Sequence, residues 1–69
     1  MNEGTVRWFS YSKGCGFITP DGGGADVFAH YSSFRAGNLR SLHPNQRVRY
    51  HLSVGPKGPV AREIAALEG

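Results

Sequence analysis

The sequence predicts a small all-β domain closed into a barrel of five strands, and three observations carry that expectation. Turn-forming clusters recur roughly every eight to twelve residues, the rhythm of short strands joined by tight connections. They are Ser12-Lys13-Gly14, Pro20-Asp21-Gly22-Gly23-Gly24, Gly37-Asn38, His43-Pro44-Asn45 and Gly55-Pro56-Lys57-Gly58-Pro59. The segments between them are short and rich in β-branched, aromatic or alternating residues. With 69 residues there is room for one domain and one small core, and so few strands remove their open edges best by closing on themselves. A single domain over residues 1–69 is expected, its barrel within about 3–67.

The first strand, Gly4 to Ser10, alternates imperfectly. Strict alternation places Trp8 with Val6 and Arg7 with Phe9, so one aromatic belongs to the core and Trp8 is left open to either face. An outward Trp8 beside Arg7 requires a bulge or a strong local twist. The second strand, Cys15 to Thr19, sets Ile18 opposite Cys15 and Phe17. The third, Asp26 to His30, sets Val27 and Ala29 opposite Asp26, Phe28 and His30. Placing the compact aliphatics inside leaves Phe17, Phe28 and His30 outside, close to Lys13. The reverse facing would bury Asp26 and His30 with Phe28, which is costly unless both find partners. Aromatic rings interleaved with basic groups on an open sheet are what base stacking needs.

The fourth strand, Arg47 to Val54, reads as simply amphipathic: Val48, Tyr50, Leu52 and Val54 on the inner face, Arg47, Arg49, His51 and Ser53 on the outer. The fifth, Val60 to Ala65, competes with a helix, because Ala61-Arg62-Glu63-Ile64-Ala65-Ala66-Leu67-Glu68 has good helix formers.

Composition narrows the function. Hydrophobic residues make up 39% of the chain, too many for a disordered segment, and no apolar run approaches a membrane span. Met1-Asn2-Glu3-Gly4 has neither a basic start nor an apolar stretch, so no secretory signal and a cytoplasmic location are expected. Eight basic residues against five acidic ones give a net charge of +3, which favours an anionic partner. Six of the eight are arginines, able both to pair with phosphate and to stack on a base. The single Cys15 forms no internal disulfide, and His30, His43 and His51 lack metal-ligand spacing, so no metal and no cofactor are expected. Glu3, Asp21, Asp26, Glu63 and Glu68 are scattered, the glycine clusters do not sit between a strand and a helix, and no Walker pair follows them. Neither enzymatic activity nor a small-molecule substrate is therefore expected.

Four runs at ordered spacing carry a resemblance: Gly4-Thr5-Val6-Arg7-Trp8-Phe9, Lys13-Gly14-Cys15-Gly16-Phe17-Ile18, Asp26-Val27-Phe28-Ala29-His30-Tyr31 and Gly55-Pro56-Lys57-Gly58-Pro59. The match they carry extends over nearly the whole chain, which resembles the bacterial cold-shock proteins, and the two central runs look like that family's ribonucleoprotein motifs. The resemblance implies a five-stranded antiparallel barrel of the OB type whose second and third strands carry the binding face. It implies binding of pyrimidine-rich single-stranded RNA and DNA and action as an RNA chaperone or regulator, often in the response to cold. By position it assigns base stacking to Trp8, Phe17, Phe28, His30 and Tyr31, basic contacts to Arg7, Lys13 and Lys57, and a base-edge hydrogen bond to Asp26.

Two positions depart from the family pattern. Cys15 stands where an exposed phenylalanine is usual, and Leu39 aligns with another exposed aromatic. A thiol and an isobutyl group still touch a base, so both remain candidate contacts, with Arg35 and Arg40 nearby as added phosphate partners. The Cys15 thiol is read as a tolerated small replacement, with redox sensitivity as the alternative. A monomer is expected, with weak dimerisation as the other option. The rival function is a protein-interaction module that uses the same aromatic patch.

Overall fold

Five strands form in the computed structural model, which describes residues 2–35 and 42–67. They are β1 (Asn2–Ser10), β2 (Cys15–Pro20), β3 (Val27–His30), β4 (Arg47–Gly55) and β5 (Gly58–Ala66), with a 3-10 turn, Tyr31–Ser33, directly after β3. The sheet closes in the order β1-β2-β3-β5-β4. β5 is a strand, not a helix: pairing with β4 over most of its length outweighs local propensity.

The expectation of antiparallel pairing holds for β1 with β2, β1 with β4, β2 with β3 and β4 with β5. The pair that completes the barrel, β3 with β5, is parallel, with Phe28 beside Val60. Its direction follows from topology: β3 and β5 are joined through β4, so the chain returns running the same way.

Inside lie Val6, Ile18, Val27, Ala29, Leu42, Val48, Tyr50, Ala61 and Ile64, each at most 2% exposed, with Phe9 and Phe34 packed against them. Tyr50 is the largest side chain among them. Two irregularities tune which side chains face inward. On β1, Val6 pairs with Ile18 and Trp8 with Phe17, so Arg7 is an extra residue in a bulge. On β5, Arg49 pairs with Ala65 and His51 with Arg62, so Tyr50 opposes both Glu63 and Ile64. Glu63 there takes a positive φ of 51°. That extra residue lets Ala61 and Ile64, three apart in sequence, both point inward.

The expectation for β4 needs correction. Val48 and Tyr50 are buried, but Leu52 is 50% and Val54 83% exposed. β1 pairs with β4 only as far as Tyr50. Beyond that residue β4 and β5 run on as a hairpin whose inner side is covered by no third strand among the described residues.

A charged cluster ties the β2–β3 loop to the barrel on the β1–β4 side. Arg47 donates two hydrogen bonds of 2.6 Å to the Asp21 carboxylate and one of 3.0 Å to the Thr5 hydroxyl, with Glu3 at 3.6 Å. The hydrogen bonds from Arg47 hold the Asp21 carboxyl below its ordinary value near 3.8 and push the guanidinium up.

Candidate nucleic-acid interface

The outer face of β2 and β3 is built by elimination. Ile18, Val27 and Ala29 fill the core, and the side chains that alternate with them must stand outside. Cys15 sits beside His30 and Phe17 beside Phe28 in the antiparallel register. All four are half-buried, leaning on one another rather than projecting freely. The facing read from the sequence for Phe17, Phe28 and His30 is the one the barrel adopts.

Trp8 joins this face because of the Arg7 bulge. The extra residue resets the alternation, so Val6 points inward, Trp8 outward beside Phe17, and Phe9 inward opposite Gly16. Gly16 makes the tight crossing possible, since a Cβ there would overlap the backbone of Trp8 and Phe9. Alternation left Trp8 open; its indole is 44% exposed.

The rings form a continuous ribbon across three strands. Trp8 lies 5.5 Å from Phe17, Phe17 5.7 Å from Phe28, Phe28 6.4 Å from His30, and His30 4.5 Å from Tyr31, between centroids. Tyr31, 60% exposed, begins the 3-10 turn. Its ring covers Gly14, whose φ is +68° and where a Cβ would come within 2.6 Å of the ring. The Tyr31 amide donates to the Gly14 carbonyl at 2.9 Å. His30 is steered by Ser32, whose backbone N–H donates to Nδ1 at 3.2 Å while its hydroxyl lies 2.8 Å from the same atom.

Charged groups flank the ribbon. At the Trp8 end, Arg7 donates to Asp26 at 2.6 Å, and the Thr19 hydroxyl donates to the other Asp26 oxygen at 3.3 Å. Lys13 is exposed on the β1–β2 turn and borders a hollow shared with Phe9, Tyr11, Gly14 and Tyr31. Lys57 is exposed on the turn between β4 and β5. The parallel register directs that turn toward the Asp26 end of β3. Leu39 and Arg40 lie outside the described residues.

Tyr11 was not singled out from the sequence. It is 64% exposed, meets Phe9 edge-on at 6.0 Å, and its hydroxyl lies 3.2 Å from His43 Nδ1. A large aromatic inside the Ser12-Lys13-Gly14 turn region was the available signal. Among the described residues no group of three His, Cys, Asp or Glu side chains could hold a metal ion, and no helix is long and apolar enough to cross a membrane.

A closed barrel of five strands carrying a ribbon of rings on β1, β2 and β3, flanked by basic side chains, is a nucleic-acid-binding domain of the OB type. Comparison with known proteins makes the class specific. The family described as the "'Cold-shock' DNA-binding domain" matches residues 2–67. The chain is 51% identical to cold shock-like protein CspA of Bordetella pertussis over 67 residues, 97% of this chain and 100% of that protein. It is 47% identical to cold shock-like protein CspD of Escherichia coli over 68 residues, covering 99% and 92%. It is 52% identical to cold shock protein ScoF of Streptomyces coelicolor over 64 residues, covering 93% and 96%. The chain belongs to the cold-shock domain family, a family of nucleic-acid-binding domains.

Proposed function

We propose that this protein binds single-stranded RNA and DNA, preferring pyrimidine tracts, and acts in the cytoplasm as a monomeric RNA chaperone and regulator of transcription or translation under cold. The continuous ring ribbon from Trp8 to Tyr31 carries this reading. Its rings are spaced by 4.5 to 6.4 Å, against about 3.4 Å between stacked bases in a duplex strand. Bases seated one per ring are therefore splayed apart, and bases already paired in a duplex cannot reach the rings. Pyrimidines stack least on one another and lose least on being splayed. A protein that binds only the unpaired strand shifts the pairing equilibrium toward it by mass action, without an energy source.

In this reading Trp8, Phe17, Phe28, His30 and Tyr31 stack on bases. Arg7, Lys13 and Lys57 meet phosphates, and Asp26, already fixed by Arg7 and Thr19, accepts from a base amino group with its remaining lone pairs. Cys15 beside His30 is a thin place in the ribbon.

Titration of Trp8 fluorescence with oligothymidine and oligoadenosine, as RNA and DNA, at several salt concentrations tests the proposal. Oligothymidine is expected to bind more tightly. Relative to a homologue with phenylalanine at position 15, affinity per base should be lower and its fall with salt steeper. No affinity for any strand, together with a stable dimer or protein partner, would favour a protein-interaction module instead.

A further inference from the structure

The outer surface does not end at His30. Phe28 is paired with Val60 in the parallel β3–β5 contact, so two residues further along both strands Arg62 stands level with His30. Ala61 is buried and Arg62 exposed, which puts the guanidinium on the same outward side as the ribbon. The chain leaving the 3-10 turn then runs beside β5, with Phe34 bridged to Ile64 and the Arg35 amide donating to the Ile64 carbonyl at 3.0 Å. Between that chain and β5 lies an open groove of about 390 Å³ lined by Ser32, Ser33, Phe34, Arg35, Arg62 and Glu63.

Among the described residues the arginine charge in this groove is uncommitted. Among the described residues Glu3 and Asp21 approach Arg47, Asp26 approaches Arg7, and Glu63 reaches His51 at 3.8 Å. Within that set Arg35 and Arg62 have no carboxylate at ion-pair distance. Among the described residues Glu63 is the only acidic side chain lining the groove, and it lies 3.8 Å from His51 on β4. Ser32 connects groove and ribbon directly, because its hydroxyl bonds His30.

We propose that this groove is a phosphate-binding subsite for the same single strand, in which Arg62 takes a backbone phosphate as the strand passes His30 and Arg35 takes the next. The proposal rests on the nucleic-acid reading above and extends the strand's path from β3 onto β5. Two guanidiniums flanking one groove suit the forked geometry of a phosphodiester, and the Ser33 hydroxyl on its wall supplies a neutral donor.

The test compares Arg62→Gln, Arg35→Gln/Arg62→Gln and a charge-matched control, Arg49→Gln on β4, in the full chain, with thermal melting to verify folding. Each binds oligothymidine of about four and about ten nucleotides, within the range of OB-type site sizes, across a salt series. For the longer strand, R62Q should flatten the plot of log affinity against log salt by about 0.7, and the double variant by about twice that. Between about 50 and 200 mM salt, the affinity lost by R62Q should be smaller than that lost by wild type by a factor of about 2–3. The four-nucleotide strand and R49Q should show little change. A slope for R62Q equal to that of wild type or of R49Q, or an equal effect on both strand lengths, would overturn the subsite. Failure of the unmodified protein to bind either strand would overturn the underlying reading instead, and the subsite with it.

Discussion

Phe17 is the ring on which the ribbon turns from β1 to β3, and its removal separates a binding role from a packing role. In Phe17→Ala the base above position 17 loses its platform, worth about 1–3 kcal/mol, or about 5- to 150-fold in Kd. The same change removes ring contacts at 5.5 Å to Trp8 and 5.7 Å to Phe28. At about 0.5–1.5 kcal/mol each these contribute about 1–3 kcal/mol to the stability lost, beyond the apolar area Phe17 buries, the lower end applying because Phe17 is partly solvated. A chain of this length has about 3–10 kcal/mol in total, so the comparison is made in the cold and the melt of F17A fixes its folded fraction. Trp8 survives the mutation and reports binding by its own fluorescence. The assay is a titration with oligothymidine at about 10 °C, with a thermal melt of each variant and Val54→Ala, at a nearly free surface position, as reference. A folded F17A whose Kd stays within about twofold of wild type would refute the reasoning.

Restoring a ring should act in the opposite sense. Cys15 is half-buried beside His30 on the outer face, so Cys15→Phe is expected to tighten oligothymidine binding by about 1–3 kcal/mol, read in the same titration. Asp21 supplies a pH signature. Its carboxyl is lowered by the Arg47 hydrogen bonds, so its contribution to stability is present above the unfolded value near 3.8 and is lost as pH falls through the lower folded value. Urea midpoints of wild type and Asp21→Asn should therefore differ at neutral pH and converge in acid, and a constant difference down to pH about 2 would contradict the assignment.

Much of this architecture is legible from residue type and spacing, and the exceptions share a cause. In Cys15 to Thr19 and Asp26 to His30 the compact aliphatics alternate with rings without interruption, so facing follows directly. In β1 and β5 it does not, because each carries an extra residue that only pairing with a neighbouring strand reveals. At Glu63 the backbone enters the left-handed region at a residue that is neither glycine nor asparagine, so nothing local announces it. Ala61 and Ile64 then point inward at a three-residue spacing, which is why the segment imitates a helix. Leu52 and Val54 were misjudged because alternation tells which side a residue faces but not where the neighbouring strand stops. Tyr11 and the Arg62 groove depend on contacts across the chain, Tyr11 with His43 and Arg62 with the segment following β3.

The bulge in β1 has a further consequence for how this strand is assembled. Val6, Trp8 and Phe9 would keep the sides they occupy if residue 7 were simply absent, since Val6 beside Ile18, Trp8 beside Phe17 and Phe9 beside Gly16 already form an unbroken in-out-in sequence. Arg7 is thus a residue surplus to the parity of the strand, inserted where it displaces no neighbour from its side. What the insertion adds is a cation, its side chain 65% exposed, held at the rim by Asp26. The wall of the barrel and the charge at its edge are in this sense written separately in the chain, and either is open to change without rewriting the other.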